Sequence, residues 1–214
     1  TLLDRERIDL ILYAMARIFL LRHAHSTANS KGILAGRTPN ITLSKEGIGQ
    51  LENLASRFEG AQFDQVISSP IQRCIETISF FENRPLLVDS FQEVDYGNWT
   101  GKKVSSLARN KEWRKIYTTP ASVRFPNGET LPEVQTRALH GLDMHVKSKA
   151  KNVLIVTHAD VIKVLLLHAL GTHLNNIDKI QISNASVSVV DIKGRDFRVV
   201  KVNDTSSNLN ELLT

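Results

Sequence analysis

Ile18-Phe19-Leu20-Leu21-Arg22-His23-Ala24-His25-Ser26-Thr27-Ala28-Asn29 is the stretch from which the fold can be read. A short apolar run with β-branched and aromatic members, opening into a polar loop, reads as a buried strand with a basic tip at its carboxyl end. In open α/β sheets ligands bind at that edge. An arginine there can fork onto a phosphate, and a neutral imidazole beside it can attack phosphorus. An isolated Arg-His pair is more often two solvated loop residues, so the weight rests on what the rest of the chain supplies.

Three further segments supply matching parts. In Val66-Ile67-Ser68-Ser69-Pro70-Ile71-Gln72-Arg73 the pattern predicts a strand, a helix cap at Ser69, proline at the first helical position, and Arg73 in the first turn aimed at the same edge as Arg22. The helix is expected to run from Pro70 to about Glu82. Val153-Leu154-Ile155-Val156-Thr157-His158-Ala159-Asp160 reads as a second apolar strand ending in a histidine. An apolar helix follows from about Val161 to Leu170 and is closed by Gly171. His158 then lies at a helix N-terminus, where backbone N–H groups favour an anion. Between these segments Phe91-Gln92-Glu93-Val94-Asp95-Tyr96-Gly97-Asn98-Trp99-Thr100-Gly101 reads as a glycine-punctuated loop with Glu93 near its start.

The other elements follow more coarsely. Ser44 caps a helix to about Phe58, Gln65 to Ser68 and Leu86 to Val88 are short strands, and Glu129 to about Lys149 is a long amphipathic helix. Ser186 to Ile192 and Phe197 to Val202 form a terminal hairpin around Lys193-Gly194-Arg195-Asp196, an antiparallel edge on an otherwise parallel sheet.

In this order, from about Arg17 to Asn203, the segments resemble the histidine phosphatase superfamily, the phosphoglycerate mutase-like group. Arg22-His23-Ala24 is similar to its Arg-His-Gly motif, Asn29 to its phosphate-contacting asparagine, Ser68 to Arg73 to its Ser-Ser-Pro-x-x-Arg segment, Glu93 to Gly101 to its acidic loop, and His158 to its second histidine. The resemblance implies an α/β fold, a three-layer α/β/α sandwich with a mostly parallel mixed sheet. It implies that His23 takes the phosphoryl group, that Arg22, Arg73 and His158 hold its oxygens, and that Glu93 is the acid, ahead of Asp95. Asn29, Gly36, Tyr96, Ala159, Arg114 and Lys115 are expected around the substrate. Two positions depart from the pattern. Ala24 adds a methyl group where glycine is usual, and His25 stands where glutamate or glutamine is common, so it is read first as a polar strand-end residue and second as a substrate contact.

Composition bounds the rest. A chain of 214 residues with strands alternating with helices fits one α/β domain, placed at 16–214 behind an extension at 1–15 that resembles neither a signal peptide nor a membrane span. A single cysteine, Cys74, excludes an internal disulfide and suits a reducing, cytoplasmic compartment; its helical position reads as packing. His140, His145, His168 and His173 lack mutual metal spacing and read as surface or packing residues. The formal charge of +5 favours an anionic ligand without an aromatic-basic pattern for nucleic acid.

The activity expected is hydrolysis of small anionic phosphomonoesters through a phosphohistidine, with no cofactor and no metal. The partner is then a small phosphorylated molecule, with no nucleic acid or membrane partner and a homodimer left open. The alternative is a phosphoglycerate mutase with 2,3-bisphosphoglycerate as phosphoryl donor; the short connection from Tyr117 to Phe125 favours the hydrolase. Ranked lower are a metal-dependent hydrolase built on His23-Ala24-His25 and a non-catalytic binding domain. Lys102, Lys103, Arg109, Lys111, Arg114, Lys115 and Arg124 are expected to form a basic cap over the pocket.

Overall fold

In β1 (Met15–Arg22) alternate side chains enter opposite layers: Ile18 and Leu20 join one apolar cluster, Phe19 and Leu21 the other. All four are essentially inaccessible to water, and burying each is worth about 1.5–3 kcal/mol. The structure, a computed structural model, describes residues 15–81 and 84–214. The extension expected at 1–15 therefore lies outside the described residues except for Met15, which is the first residue of β1 and pairs with Lys193.

The other strands are β2 (Gln65–Ser68), β3 (Leu86–Leu87), β4 (Asn152–Thr157), β5 (Val187–Lys193) and β6 (Asp196–Asp204), in the order β3-β2-β4-β1-β5-β6. β1, β2, β3 and β4 are parallel, while β5 runs antiparallel to β1 and β6 to β5. The helices are α1 (Thr27–Ser30), α2 (Lys45–Arg57), α3 (Gln72–Thr77), α4 (Val104–Leu107), α5 (Lys111–Lys115), α6 (Leu131–His145) and α7 (Ala159–Ala169). α6 and α7 pack on Ile18, Leu20, Val153 and Ile155; Leu54 of α2 and Cys74 of α3 pack on Phe19, Leu21, Leu154 and Val156. The result is the three-layer α/β/α sandwich with a mostly parallel mixed sheet. At the sheet centre Ile18 to Leu21 of β1 and Val153 to Val156 of β4 are apolar on both faces, which is the pattern of strands covered on both sides.

Three boundaries differ from expectation. The helix after Pro70 begins at Gln72, with Ile71 rather than Ser69 at the cap position, and ends at Thr77. Its continuation would compete with an aromatic cluster: Phe80 and Phe81 leave the helix to pack against Phe58, and Phe81 also meets Phe63. α6 starts one capping box later than Glu129, with the Thr130 hydroxyl accepting from Glu133 N and the Glu133 carboxylate accepting from Thr130 N. It stops at His145 because the Gln65 side chain takes over the chain there, donating to His145 O at 2.7 Å and accepting from Lys147 N at 3.0 Å. The short strand expected to reach Val88 ends at Leu87.

Candidate active site

The parallel register brings the two strand-end histidines together. Arg22 pairs with Thr157, so His23 and His158 leave neighbouring strands at the same level, and His23 N donates to Thr157 O at 3.0 Å. Their rings face each other with centroids 5.2 Å apart. β2 ends beside them, where Ser69 N donates to Val156 O. Both histidines, Ser69 and Arg73 are buried.

Arg73 is the hub. Its Nε donates to His23 Nε2 at 3.1 Å, and one terminal nitrogen donates to His158 Nδ1 at 3.1 Å and to Gly36 O at 2.9 Å. Guanidinium can only donate, so both ring nitrogens facing it must be unprotonated. His23 carries its proton on Nδ1, which donates to Ala24 O at 2.7 Å, and Nε2 is left as a lone pair. His158 carries its proton on Nε2, directed at Ser69 Oγ at 2.9 Å. Burial, then the nearby charge of Arg73, holds both imidazoles well below their ordinary range, so both are neutral at pH 7. The approach of Glu93 Oε2 to His158 Nδ1 at 3.8 Å is accordingly no ion pair.

Arg22 enters from β1 and donates to Ile182 O at 2.6 Å. Its Nε and Nη1 of Arg73 are buried N–H groups without a partner in the protein. Unpaired buried donors are costly, and guanidinium donors of this kind fit the oxygens of a phosphoryl group. Asn29 commits its side-chain oxygen to Ser26 N and Ser26 Oγ, which leaves its amide N–H groups as the end able to donate. Ala159 opens α7, whose first N–H groups have no intrahelical acceptor.

Glu93 sits on a loop rather than a strand end. Its side chain is buried, and burial followed by the charge of Asp160 pushes its carboxyl up to about 7. A clamp holds the loop: Arg37 and Arg137 both donate to Glu93 O, at 3.0 and 3.1 Å, and both pair with Glu129, which also accepts from Asp95 N. Gly97 and Gly128 let the two chain segments meet, since a Cβ at Gly97 would lie 2.0 Å from Pro126 O. Asp95, the rival acid, uses its carboxylate to cap Gly97 N at 2.9 Å. Tyr96 donates to Asp160 at 2.7 Å, and burial, then Asp160, raises its phenol well above the ordinary range.

Several expected roles change. Gly36 supports Arg73 through its carbonyl, and its φ of 50° with Tyr96 and Thr100 close by leaves no room for a side chain. His25 turns away from the site, with Nδ1 2.8 Å from Ser44 Oγ, so it does not share a ligand position with His23. Among the described residues no group of three or more His, Cys, Asp or Glu is arranged to hold a metal. The Ala24 methyl group packs in the apolar cluster and Ala24 N donates to Thr77 Oγ1, so the departure from glycine is absorbed by the core.

The lysines and arginines expected as a basic cap, Lys102, Lys103, Arg109, Lys111, Arg114, Lys115 and Arg124, are all exposed. A cavity of about 80 Å³ next to Tyr96 and Asp160 is walled by Leu34, Trp113, Ile116 and Phe125 and has no lysine or arginine among its lining residues. α5 turns Trp113 inward because Trp99 and Tyr117 pack against it, and this sends Arg114 and Lys115 to solvent, where Lys115 pairs with Glu112. Arg124 is bound to Glu133.

Sequence reasoning missed four supports: Ser69 as partner of His158, Thr77 beneath Ala24, Asn184 donating to His23 O at 3.1 Å, and the Arg37–Glu129–Arg137 clamp. It read Cys74 correctly as packing. Its Sγ lies 3.5 Å from His158 Nε2, and burial pushes the thiol up to about 12, which keeps it protonated.

Neutral imidazoles, buried cations and a carboxylic acid ionising near 7 define an enzyme of phosphate-ester chemistry. The sequence carries the same answer as a whole: residues 18–205 match the histidine phosphatase superfamily, branch 1, and the chain belongs to that family. It is 29% identical over 199 residues to phosphoserine phosphatase 1 of Hydrogenobacter thermophilus, covering 89% of this chain and 93% of that one. It is 25% identical over 193 residues to a 2,3-bisphosphoglycerate-dependent phosphoglycerate mutase of Thermoplasma acidophilum, covering 88% and 94%. In structure it is similar to a phosphoserine phosphatase from Entamoeba histolytica, with a TM-score of 0.80, 23% identity and coverage of 89% and 98%. The chain is a histidine phosphatase, and phosphomonoester hydrolysis is its chemistry.

Proposed function

We propose that the protein hydrolyses small phosphomonoesters in two steps through phosphohistidine at His23. The observation that carries this reading is the hydrogen-bond pattern at Arg73, which leaves His23 Nε2 unprotonated as the acceptor of Arg73 Nε, in a site where Arg22 Nε and Arg73 Nη1 are buried without a partner. His23 Nε2 attacks phosphorus in line while Arg22, Arg73 and His158 hold the equatorial oxygens, with Asn29 and the first N–H groups of α7 at Ala159 adding donors. Glu93 delivers its proton to the departing alkoxide. The resulting carboxylate then takes a proton from water, which attacks phosphorus, frees His23 and restores the acid.

The hydrolase is favoured over the mutase by the short connection from Tyr117 to Phe125, which leaves water access to a phosphohistidine at His23. No nucleic-acid or membrane partner enters this reading, the location is cytoplasmic, and a homodimer stays open. Among the described residues no helix is long and apolar enough to cross a membrane.

The test traps the intermediate. Alkaline quenching during turnover of a phosphate ester should yield acid-labile phosphohistidine in the parent and none in His23→Ala, and phosphate release should exceed bisphosphoglycerate-stimulated isomerisation of 3-phosphoglycerate. Near-native turnover by His23→Ala, or isomerisation with little phosphate release, overturns the proposal.

A further inference from the structure

A second cavity lies at the other end of the sheet. It occupies about 500 Å³ and is lined by Ala16 at the start of β1, whereas Arg22 and the catalytic edge lie at its end. Six residues of strand separate the two, about 20 Å. Nothing in the phosphatase chemistry uses this volume, which falls in the range of small-molecule sites.

Its composition names a ligand class. The floor is apolar, made by Leu142, Val146, Ile192 and Phe197. Behind it a void of about 10 Å³ shares Leu142, Ile192 and Phe197, so the floor is not fully packed by the protein's own side chains. Around the mouth stand Lys147, Arg195 and His168 against one carboxylate, Asp143. On the same hairpin Arg198 is paired with Asp191 at 2.6 Å, while among the described residues Lys147 and Arg195 form no ion pair. His168 is held over the floor, edge-on to Phe197 with ring centroids 4.9 Å apart.

We propose that this cavity is a second binding site, separate from the catalytic pocket, for a small amphiphilic anion: an aliphatic or aromatic body on the apolar floor and one carboxylate or sulfonate between Lys147 and Arg195. A simple inorganic anion would leave the floor unused, and a neutral apolar molecule would leave the cations unused.

The probe is 8-anilinonaphthalene-1-sulfonate, titrated into the full chain, with decanoate and orthophosphate as competitors. Saturable one-to-one fluorescence enhancement is expected, displaced by decanoate and not by orthophosphate, which competes at the catalytic arginines. The exposed pair Lys147→Glu and Arg195→Glu should weaken binding by about tenfold or more, a loss of about 1.4 kcal/mol per tenfold, while thermal midpoint and phosphatase turnover stay native. Val146→Asp should act in the same direction through the floor. Unsaturable binding, displacement by orthophosphate, or affinity unchanged in the double variant overturns the proposal. So does binding gained only when residues 1–14 are removed, or a sedimentation shift from dimer to monomer in Val146→Asp, because either outcome gives the cavity to another part of this chain or to a second copy.

Discussion

Replacing Arg73 by lysine keeps the charge and removes the geometry, which makes it the sharpest test of how this site works. The guanidinium reaches His23, His158 and the Gly36 carbonyl at once, at 3.1, 3.1 and 2.9 Å, and still has Nη1 unpaired. An ammonium has one nitrogen and cannot bridge two imidazoles in fixed directions. Losing one preorganised donor to developing oxyanion charge costs about 10²–10³ in kcat. Arg73→Lys is therefore expected to lower kcat by about that factor, with KM changed much less. At least one imidazole nitrogen is left unpaired in the interior, which costs about 1–3 kcal/mol. At roughly 2–4 °C per kcal/mol for a domain of this size, Tm falls by roughly 2–12 °C. Steady-state kinetics on an alkyl phosphate, quenched-flow measurement of phosphohistidine and a thermal scan read the three quantities. A kcat within about tenfold of the parent, with native Tm, would refute the view that Arg73 works by spanning the two rings rather than by charge alone.

Four further outcomes concern the two carboxyl groups Glu93 and Asp204 and the buried Arg57. If Glu93 is the acid of the first step, as proposed, kcat/KM for an alkyl phosphate should fall about tenfold per pH unit above its value of about 7, while the limb set by His23 lies well below the ordinary imidazole range. Glu93→Gln should abolish the alkaline limb and cost about 10²–10⁴ in kcat, far less for a nitrophenyl ester whose leaving group needs no proton; equal losses on both esters would remove Glu93 from that role. Arg57, buried against Asp204 and donating to three carbonyls, should cost about 3–5 kcal/mol when changed to alanine, read by urea unfolding with catalysis retained. Burial pushes Asp204 upward, but hydrogen bonds from Lys201 and Ser207 outweigh it and hold the carboxylate well below its usual range. Its contribution is thus complete above the unfolded pKa of about 3.9 and is lost as pH falls below it; an acid-unfolding profile unchanged in Asp204→Asn would contradict this.

What the sequence disclosed and what it withheld divide along one physical line. The strand ends were legible because β1, β2 and β4 hold apolar runs covered on both faces, and such runs give way abruptly to polar side chains at Arg22, Ser69 and His158. Parallel pairing then guarantees that these ends share an edge. The supports were not legible because they cross the chain: Ser69 meets His158 over 89 residues, and Asn184 meets His23 over 161. No local period announces such contacts. The basic stretch was ambiguous for a different reason: lysines and arginines on a short helix fit a solvated face as well as a binding surface, and Trp113, buried against Trp99, leaves Arg114 and Lys115 exposed in either case.

The charges explain why this apparatus suits a dianion and nothing weaker. Arg22 and Arg73 are both held in or near the interior, and burial lowers the Arg22 guanidinium from its ordinary range. The groups beside them compensate this only in part. His23 and His158 are neutral, Glu93, with an ionisation pushed up to about 7, supplies only part of one negative charge at neutral pH, and Asp160 supplies a further counter-charge to Arg22. Desolvated cations with incomplete counter-charge cost stability, and a phosphoryl dianion relieves both at once. A ligand that binds the folded state alone raises stability by RT ln(1 + [L]/Kd), so orthophosphate and substrate should both do so. The strain is not uniform, however. In the proposed mechanism Glu93 loses its proton just as the phosphoryl group leaves the alcohol, and the new carboxylate then stands near the same two arginines. Negative charge is thereby kept near the cations throughout the cycle, first on the ester and then partly on Glu93, and the loop clamp of Arg37, Glu129 and Arg137 holds the carboxyl where that exchange can occur.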